Sequence, residues 1–414
     1  LIRQAARTYA EAEAAAIYWG MGISQSVHGT DNTLSLANLA LLTGHIGRPG
    51  TGLNPLRGQN NVQGCSDSGG LPNVYPGYQA VDDPEVRAKF EKDWGVALNH
   101  EVGLTTMEMV DAAESGAIRG YYVMGENPMM SEPDLRHARH VIAQLDFVLV
   151  QDIFLNETGE YADIILPAAS FAEKDGTFTN SDRRVQRIRT ALPIPGEARP
   201  DWEIIADLAQ RVETKLGRER SAGFTFEHPS EIWDEMARLT PPFQGIGYTR
   251  LAREGGVHWP CPSPDHPGTP YLFADTFPRG KGQFAPIQFR PSEELPDAQY
   301  PFILSTGRVL YHWHGGTMTR RSQLDHIYPE ATVEIHPEDA QRLGVEEHAR
   351  VRVRSRRGQI EVKALVSERS PRGTVFIPFH FAEAAANELT LDARDPYAKI
   401  PDYKVSAVTI ETIT

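Results

Sequence analysis

Residues 54–64, with the sequence NPLRGQNNVQG, are the part of this 414-residue chain best suited to bind a small polar ligand. They place one guanidinium, that of Arg57, among side-chain amides and glycines, with little apolar content to anchor the loop. A planar guanidinium can donate two parallel hydrogen bonds, so Arg57 could grip a small carboxylate bidentately. An ordinary solvated surface loop is the alternative interpretation, and composition alone leaves both open.

Further polar residues follow two predicted parallel strands. Residues 125–128 (GENP) come directly after the strand 120–124, and Gln151 comes after the strand 147–150. In parallel sheets ligands bind in the crevice beyond the carboxyl ends of the strands. A plain turn is the alternative for the GENP residues, because Gly, Asn and Pro all favour turns.

A dense polar and aromatic cluster, residues 306–314, follows the predicted strand 302–305. Within it His312 and His314 are two residues apart, which would put them on one face of a strand. No third ligand follows at zinc-like spacing, which argues against a mononuclear metal site. The cluster therefore predicts hydrogen bonding to a phosphate or a heterocycle.

Two single residues have both a structural and a chemical interpretation. Asp201 opens a predicted helix and is interpreted as its N-cap, although a cap carboxylate could also accept from a guanine edge. Cys65 follows the loop glycine and could resemble a nucleophile. Since no partner base can be placed beside it, an inert small residue is the favoured interpretation of Cys65.

Composition excludes several classes of protein. Lys+Arg 41 against Asp+Glu 55 gives a net charge of −14, which argues against binding nucleic acid over a broad surface. No apolar run approaches the roughly 18 residues that span a bilayer, and no signal peptide is visible. Cys65 and Cys261 are too few for a disulfide scaffold, a Cys-based zinc site or an iron–sulfur cluster. The sequence starts within a predicted helix, so we expect a chain that begins inside a larger protein.

The pattern of elements predicts two kinds of domain. Strands alternate with helices over residues 105–166, which is typical of parallel βαβ units. Short strands from about residue 300 onwards, including a hairpin over 350–364 with one buried face, predict a small β-barrel. The proline-rich residues 218–299 are interpreted as connections that cross a surface. No P-loop, nucleophile elbow, HExxH or GxGxxG motif is present.

In this order, the motifs resemble the C-terminal half of molybdenum- or tungsten-dependent formate dehydrogenases, in the dimethyl sulfoxide reductase (molybdopterin oxidoreductase) family. The likeness runs almost end to end and is most specific in NPLRGQNNVQG, while residues 307–321 resemble the cytoplasmic, NAD-linked members. The other stretches that carry it are LLTGHIGRPG (41–50), LPNVYPG (71–77), MGENP (124–128), VQDIF (150–154), ADIILP (162–167), 173–186, 259–260, 304–308, 336–344 and NELT (387–390).

The resemblance implies an α/β fold in which parallel βαβ cofactor-binding domains are followed by a C-terminal six-stranded β-barrel of the double-psi type. Four layered domains would surround one metal held by two molybdopterin guanine dinucleotides. The implied segments are 1–60, the end of an α/β molybdopterin-binding domain; 61–217, an α/β domain that binds a guanosine end; 218–299, a connecting segment; and 300–414, a molybdopterin-dinucleotide-binding barrel.

The resemblance also implies site residues, with Arg57 facing the metal and orienting formate. No metal ligand is implied within these residues. The residues implied to contact cofactor are Gln59 beside Arg57; Met21 and Gln25 at the first glycine loop; Gly125, Glu126, Asn127, Gln151 and Asp201 at a guanosine end; and Arg308, His312, Asn387, Tyr403 and Lys404 from the barrel.

The implied reaction is the oxidation of formate to carbon dioxide at a molybdenum (or tungsten) bis-molybdopterin guanine dinucleotide. Electrons would pass through [4Fe-4S] clusters to partner subunits that carry iron–sulfur clusters and flavin and reduce NAD, in the cytoplasm. The family's cluster-binding cysteines, and its metal-ligating Cys or selenocysteine with an adjacent His, have no counterpart here. We therefore expect an incomplete piece of the enzyme that cannot oxidise formate by itself, without membrane insertion or nucleic-acid binding.

Two alternatives remain. One is another molybdopterin oxidoreductase, such as a nitrate reductase. The other is a cofactor-free scaffold subunit of a respiratory complex with the same fold. The intact Arg57 loop argues against the scaffold, because a scaffold gains nothing from buried amides around a guanidinium.

Overall fold

A computed structural model describes residues 1–217 and 223–413. No helix in these ranges is long and apolar enough to cross a membrane. The α-helices are α1 (Ile2–Glu11), α2 (Met21–Ser24), α3 (Gly29–Thr43), α4 (Val62–Asp67), α5 (Pro84–Trp94), α6 (Thr106–Glu114), α7 (Pro128–Ser131), α8 (Leu135–Ile142), α9 (Asp201–Lys215), α10 (Pro229–Leu239), α11 (Tyr248–Glu254), α12 (Leu324–Ile327) and α13 (Pro337–Leu343). Short 3-10 turns lie at Gly159–Tyr161, Pro241–Phe243, Thr319–Arg321, Ala382–Ala384 and Ala386–Glu388. The strands are β1 (Ala16–Trp19), β2 (Gly52–Pro55), β3 (Val74–Tyr75), β4 (Gln79–Ala80), β5 (Gly120–Met124), β6 (Phe147–Asp152), β7 (Ile164–Pro167), β8 (Gly176–Thr179), β9 (Arg184–Ile188), β10 (Val257–His258), β11 (Phe302–Gly307), β12 (Thr332–Ile335), β13 (Arg350–Arg354), β14 (Gln359–Val366), β15 (Thr374–Pro378) and β16 (Ser406–Thr412).

The chain forms two compact units, and each unit combines segments that are far apart in sequence. The first unit contains Leu1–Met21, Leu34–Thr105 and Pro167–Pro286. The second unit contains Gly22–Thr33, Thr106–Leu166 and Ile287–Thr414.

In the first unit, a short parallel pair of strands supports the loop that contains Arg57. Strand β1 pairs with β2, with Ala16 opposite Gly52 and Trp19 opposite Pro55. Because β2 ends two residues before Arg57, this pairing sets the point from which the loop departs. The sheet β10-β9-β8 lies in the same unit and is antiparallel.

Part of residues 218–299, which the sequence predicts to be a connecting segment, contributes to the core of the first unit. Its first five residues lie outside the described part of the chain. Trp233 of α10 and Phe243 are buried in one cluster with Val185 of β9. The proline content of this segment does not by itself indicate a connection without helices, because Pro229 begins α10, a position where the proline ring is favourable in a helix.

In the second unit, strands β5, β6 and β7 form one sheet in that order. Strands β5 and β6 are parallel, with Tyr121 opposite Val148 and Val123 opposite Val150. These four side chains are buried in one cluster, which also receives Ile142 of α8. The predicted parallel βαβ arrangement of this region is therefore confirmed.

The barrel at the C-terminal end of the second unit is closed, in the order β11-β15-β12-β14-β13-β16. The hairpin β13–β14 places Val351 opposite Val362 and Val353 opposite Ile360, and all four side chains are buried. The alternation of apolar and polar residues along these strands thus indicates which side chains point into the barrel, as expected for strands with one buried face. The predicted six-stranded barrel is confirmed.

Glu294 connects the chain before the barrel to the barrel strands. Its carboxylate pairs with Arg357 Nη2 at 2.7 Å and Arg356 Nη1 at 2.6 Å, and it accepts from the Ala407 amide at 2.9 Å. Burial alone would raise the pKa of Glu294, but the Arg357 and Ala407 hydrogen bonds and the arginine charges outweigh burial and lower it. The charged carboxylate therefore stabilises the fold at neutral pH.

We expect Glu294→Gln to lower the free energy of unfolding of the second unit by about 3 kcal/mol at pH 7, because it leaves Arg357, whose side chain is 12% exposed, without its counter-charge. Since the native pKa lies below the unfolded one, this loss should shrink as the pH falls below about 4.5, the usual value for Glu. Calorimetric unfolding at pH 7 and pH 4 measures both effects. Glu293→Gln, at the exposed neighbour, serves as the matched control and should change neither value.

Candidate functional site

The loop that follows β2 is held in place from the sheet of the first unit. The Arg57 amide donates to Ser181 Oγ at 3.1 Å, and the Thr179 amide donates to Asn61 Oδ1 at 2.9 Å. Asn61 has a left-handed backbone with φ 61°. A Cβ at Gly64 would lie 2.0 Å from Asn61 Oδ1, so this glycine is needed for the loop to close.

The Arg57 side chain is exposed and held at one atom. Its Nε donates to Gln63 Oε1 at 3.1 Å. Among residues 1–217 and 223–413, no hydrogen bond or ion pair engages its Nη1 or Nη2. These two nitrogens form the paired donor edge that fits a carboxylate.

Behind Gln63 lies a buried carboxylate, Asp67, which is 2% exposed. Its Oδ1 accepts from Gln63 Nε2 at 2.7 Å and from the Tyr78 hydroxyl at 2.9 Å, and its Oδ2 accepts from Trp259 Nε1 at 2.7 Å. Burial raises the pKa of Asp67, and the hydrogen bonds and the charge of Arg57 offset this only in part. Burial, followed by the Asp67 charge, raises the pKa of Tyr78 to about 12.

Asp201 lies at a cavity of about 670 Å³ in the first unit. The predicted N-cap role of Asp201 is wrong, because Pro200 occupies that position and Asp201 is the first residue of α9. Its carboxylate instead pairs with Lys174 Nζ. The other cavity-lining residues include Asn61 and the rings of Tyr75, Phe90, Trp94, Trp202, Trp233 and Tyr248. Sequence reasoning missed Lys174, whose only signal is a cation just before β8.

In the second unit, the residues predicted at the strand ends do lie together. The Gly125 amide donates to the Gln151 carbonyl at 2.9 Å, and Gln151 is fully buried. Asn127 is the N-cap of α7, and its Oδ1 accepts from Thr158 Oγ1 at 2.8 Å. Glu126 Oε1 accepts from the Asn127 amide at 2.9 Å. Residues 125–128 therefore join the strand β5 to a helix rather than forming a plain turn.

Three groups that can carry positive charge gather after β11. Arg308 stacks on Trp313, with 4.7 Å from Cζ to the ring centroid. Burial, with repulsion from Arg308, lowers the pKa of Lys404 to about 8 and also lowers the pKa of His314. Within the described part of the chain, Arg308 has no carboxylate partner. The charges of Asp402 on Lys404 and of Glu126 on His314 act in the opposite direction but are outweighed. Cations held close together in this way favour the binding of an anion.

The prediction that His312 and His314 lie on one face of a strand is wrong, because β11 ends at Gly307 and both residues are in the following loop. His312 is 3% exposed, and its nitrogens lie 2.6 Å from the Tyr328 carbonyl oxygen and 3.3 Å from Thr319 Oγ1. His314 has φ 44°, and its buried Nε2 has no partner among the described residues. The protein thus occupies the nitrogens of His312 and leaves His314 available.

Asn387 and Tyr403 both contact the end of α7. Asn387 Nδ2 donates to the Ser131 carbonyl at 2.9 Å, and the Tyr403 hydroxyl donates to the same oxygen at 2.8 Å. Asn387 Oδ1 is buried and, among residues 1–217 and 223–413, accepts no hydrogen bond. A buried acceptor without a donor is costly, so this oxygen fits an N–H group of a ligand.

The remaining predicted positions are dispersed. Met21 begins α2 in the first unit, whereas Gln25 follows that helix in the second unit. Gln59 lies in the Arg57 loop and is half-buried. Cys65 is exposed on α4, and Cys261 is buried in the core of the first unit.

The second unit fits an anionic dinucleotide such as molybdopterin guanine dinucleotide. Arg308, Lys404 and His314 suit phosphate, and Asn387 Oδ1 suits an N–H donor of a heterocycle. In the described ranges, no group of three His, Cys, Asp or Glu side chains is arranged to hold a metal ion.

Two protein-family models match the chain. The model for molybdopterin oxidoreductase matches residues 4–211, and the model for the molybdopterin dinucleotide binding domain matches residues 302–407. The second match covers nearly all of the six-stranded barrel.

The chain is similar along its whole length to curated formate dehydrogenases. It is 50% identical over 417 residues to the F420-dependent formate dehydrogenase subunit alpha of Methanocaldococcus jannaschii, and 41% identical over 420 residues to formate dehydrogenase H of Escherichia coli. The chain spans 60% and 58% of the length of these two relatives.

A solved structure has the same fold. It is acetylene hydratase from Pelobacter acetylenicus, which aligns with a TM-score of 0.70 and 16% identity, over 100% of this chain and 63% of that chain. At this identity the likeness is one of fold alone.

The lowered pKa of Lys404 predicts opposite pH effects on anion binding and stability. The affinity for pyrophosphate should fall about tenfold between pH 7 and pH 9.5, because the ammonium loses its proton near pH 8. The unfolded chain binds more protons above pH 8, so Lys404 should make the fold more stable as the pH rises towards 10.5. Calorimetric titration and thermal unfolding measure the two effects.

Lys404→Gln should remove the fall in affinity that comes from deprotonation of the ammonium, and leave only the pH dependence that comes from the ionisation of pyrophosphate itself. Lys281→Gln, at an exposed lysine of the first unit, is the control and should retain that fall in affinity. If Lys404→Gln bound pyrophosphate with the unchanged pH profile, Lys404 would not be an anion ligand.

Proposed function

The chain belongs to the molybdopterin oxidoreductase family, and on that basis we propose that it forms part of a formate dehydrogenase that oxidises formate to carbon dioxide. The observation that carries this proposal is Arg57, which the protein holds at Nε while Nη1 and Nη2 remain available. Formate offers a carboxylate and one hydrogen, so a paired donor edge is the main contact that a protein can make with it. The formate dehydrogenase names of the two relatives support the choice of substrate.

Residues of the second unit would hold the molybdopterin dinucleotide. Arg308 and Lys404 would neutralise phosphate, with His314 beside them, and Asn387 Oδ1 would accept from a heterocycle. The bound metal would accept the two electrons that leave formate, and one proton is released with carbon dioxide. We propose that His312 supports this loop from within the protein.

The guanosine-binding roles implied for the strand-end residues are also part of the proposal. The supporting observation for Gly125 and Gln151 is that they meet at the carboxyl ends of parallel strands. Asp201 would act together with Lys174 at the cavity of the first unit. Glu126, Asn127, Tyr403, Gln59, Met21 and Gln25 retain the roles that the resemblance implies.

The electron route is the finer part of the proposal. We propose [4Fe-4S] clusters and partner subunits with iron–sulfur clusters and flavin, in the cytoplasm, with NAD as the final acceptor. The support for NAD and for this location is the resemblance of residues 307–321 to cytoplasmic, NAD-linked members. One relative is instead named for F420. The test supplies the holoenzyme with formate and with both acceptors. Reduction of NAD would support NAD as the final acceptor, whereas reduction of F420 would replace NAD by F420 in the proposal.

The four-segment division at residues 60, 217 and 299 is proposed as well. The family match that begins at residue 302 supports a boundary near 300.

Two other functions compete with formate oxidation. A nitrate reductase would share the cofactor residues of the second unit, but nitrate and not formate would be its substrate. A cofactor-free scaffold has no use for a buried acceptor such as Asn387 Oδ1, which has no donor among the described residues, or for Arg308 and Lys404 held close together. Measuring bound molybdenum or tungsten, pterin, and dye reduction by formate or oxidation by nitrate separates all three.

We expect Arg57→Ala in the holoenzyme to lower kcat/KM for formate by roughly 100-fold or more, on the order of 3 kcal/mol, because the substrate carboxylate loses its charged partner. Arg57→Lys should recover little of this loss, since an ammonium lacks the paired donors. The assay is formate-dependent dye reduction. Arg119→Ala removes an exposed ion pair with Asp146 and is the control, with kinetics expected to be unchanged. Near-normal turnover in Arg57→Ala would rule out the proposed role.

A further inference from the structure

The orientation of the Arg57 side chain depends on one hydrogen bond. Its Nε donates to Gln63 Oε1, and Gln63 Nε2 donates in turn to Asp67 Oδ1. We propose that Asp67 is a positioning residue that acts through Gln63 and directs the Nη1–Nη2 edge of Arg57, rather than its Nε–Nη2 edge, at the substrate carboxylate. This inference rests on the proposed function.

The direction of each hydrogen bond in this chain is set by Asp67. A carboxylate only accepts, so the amide of Gln63 must turn its NH₂ group towards Asp67. Its carbonyl oxygen then faces the other way and accepts from Arg57 Nε. Gln63 and Asp67 are four residues apart on α4, which places them on one face of the helix. The charge state of Asp67 thus determines which end of the amide Arg57 meets.

The orientation of the Asp67 carboxylate is fixed by two further donors. Trp259 Nε1 donates to Oδ2 at 2.7 Å, and the Tyr78 hydroxyl donates to Oδ1 at 2.9 Å. The Trp259 ring packs edge-on against Phe243, with 5.8 Å between centroids, beside the core of the first unit. These donors fix the orientation of the buried carboxylate, because rotating it would take its oxygens away from the Gln63, Tyr78 and Trp259 donors together.

The Nε hydrogen bond has a consequence for how a carboxylate can bind. A guanidinium can offer either its Nη1–Nη2 pair or its Nε–Nη2 pair to two carboxylate oxygens. Gln63 already uses Nε, so only the Nη1–Nη2 pair remains. A small carboxylate such as formate would therefore bind end-on to Arg57.

Replacing Asp67 by asparagine should reverse the Gln63 amide. The indole N–H of Trp259 can only donate, so the new side chain must keep its carbonyl oxygen there. Its NH₂ group then faces Gln63 and the Tyr78 hydroxyl, which in the native protein accepts from Gln63 Nε2 at 3.1 Å and can accept from the new NH₂ group instead. Gln63 satisfies the new donor by turning its own carbonyl towards it, which points the Gln63 NH₂ group at Arg57 Nε and breaks the hydrogen bond.

The test compares Asp67→Asn and Gln63→Leu in the holoenzyme. Gln63→Leu removes the hydrogen bond to Arg57 directly and leaves Asp67 with two donors, so it tests the proposal even if Asp67→Asn folds poorly. Each variant should raise KM for formate about tenfold while kcat changes less than threefold, because only the contact with the substrate carboxylate is weakened. Asp82→Asn, at an exposed aspartate of the same unit, is the matched control and should leave both constants unchanged.

The same substitutions in an Arg57→Ala background separate positioning from a general structural role. If Asp67 acts through Arg57, neither substitution should lower kcat/KM further once Arg57 is gone. Losses that add to that of Arg57→Ala, or an unchanged KM in both single variants, would overturn the inference. Normal formate kinetics in Arg57→Ala would overturn the proposed function and this inference with it. A defective Arg57→Ala beside normal Asp67 and Gln63 variants overturns the inference alone.

Discussion

A carboxylate that is taken out of water must find a donor for each lone pair that it can no longer offer to solvent. In the first unit the side chains of Gln63, Tyr78 and Trp259 supply three donors to Asp67, which offset the cost of burial in part. The requirement ties a helix, a loop and a distant aromatic residue together, because any donor that moved away would leave the buried charge unsatisfied. Through Gln63 this network also reaches the side chain of Arg57, although Arg57 itself is exposed.

In the second unit the groups around Arg308 that lose contact with water can carry positive rather than negative charge. Burial, followed by repulsion from Arg308, lowers the pKa values of Lys404 and His314. Asn387 Oδ1 adds a buried acceptor without a donor, as far as the described residues go. Such unpaired groups destabilise a protein alone and become favourable when a ligand supplies the missing partners. An anionic dinucleotide with N–H donors supplies both kinds of partner.

The sites of the two units would contribute to function in different ways. In the first unit a buried anion with three hydrogen-bond donors would orient the residue that binds substrate, whereas in the second unit a buried acceptor without a donor among the described residues would bind the cofactor. Catalysis on a small substrate gains from stiffness, because formate has few atoms through which binding energy can orient it. The cofactor has many atoms, so its binding can offset the cost of several unpaired groups.

Local sequence patterns were sufficient for the elements and for some ligand positions. Alternation along residues 350–364 predicted the barrel hairpin, strand ends predicted the meeting of Gly125 with Gln151, and a guanidinium in a polar loop singled out Arg57. These features follow from periodicity and turn chemistry, which act between near neighbours. Asp67 was not predicted, because it resembles any polar residue of a short helix until Trp259, 192 residues later, donates to it. Only the tertiary structure decides such pairings. A hydrogen bond depends on distance in space, and the separation of two distant residues along the sequence does not indicate whether they meet.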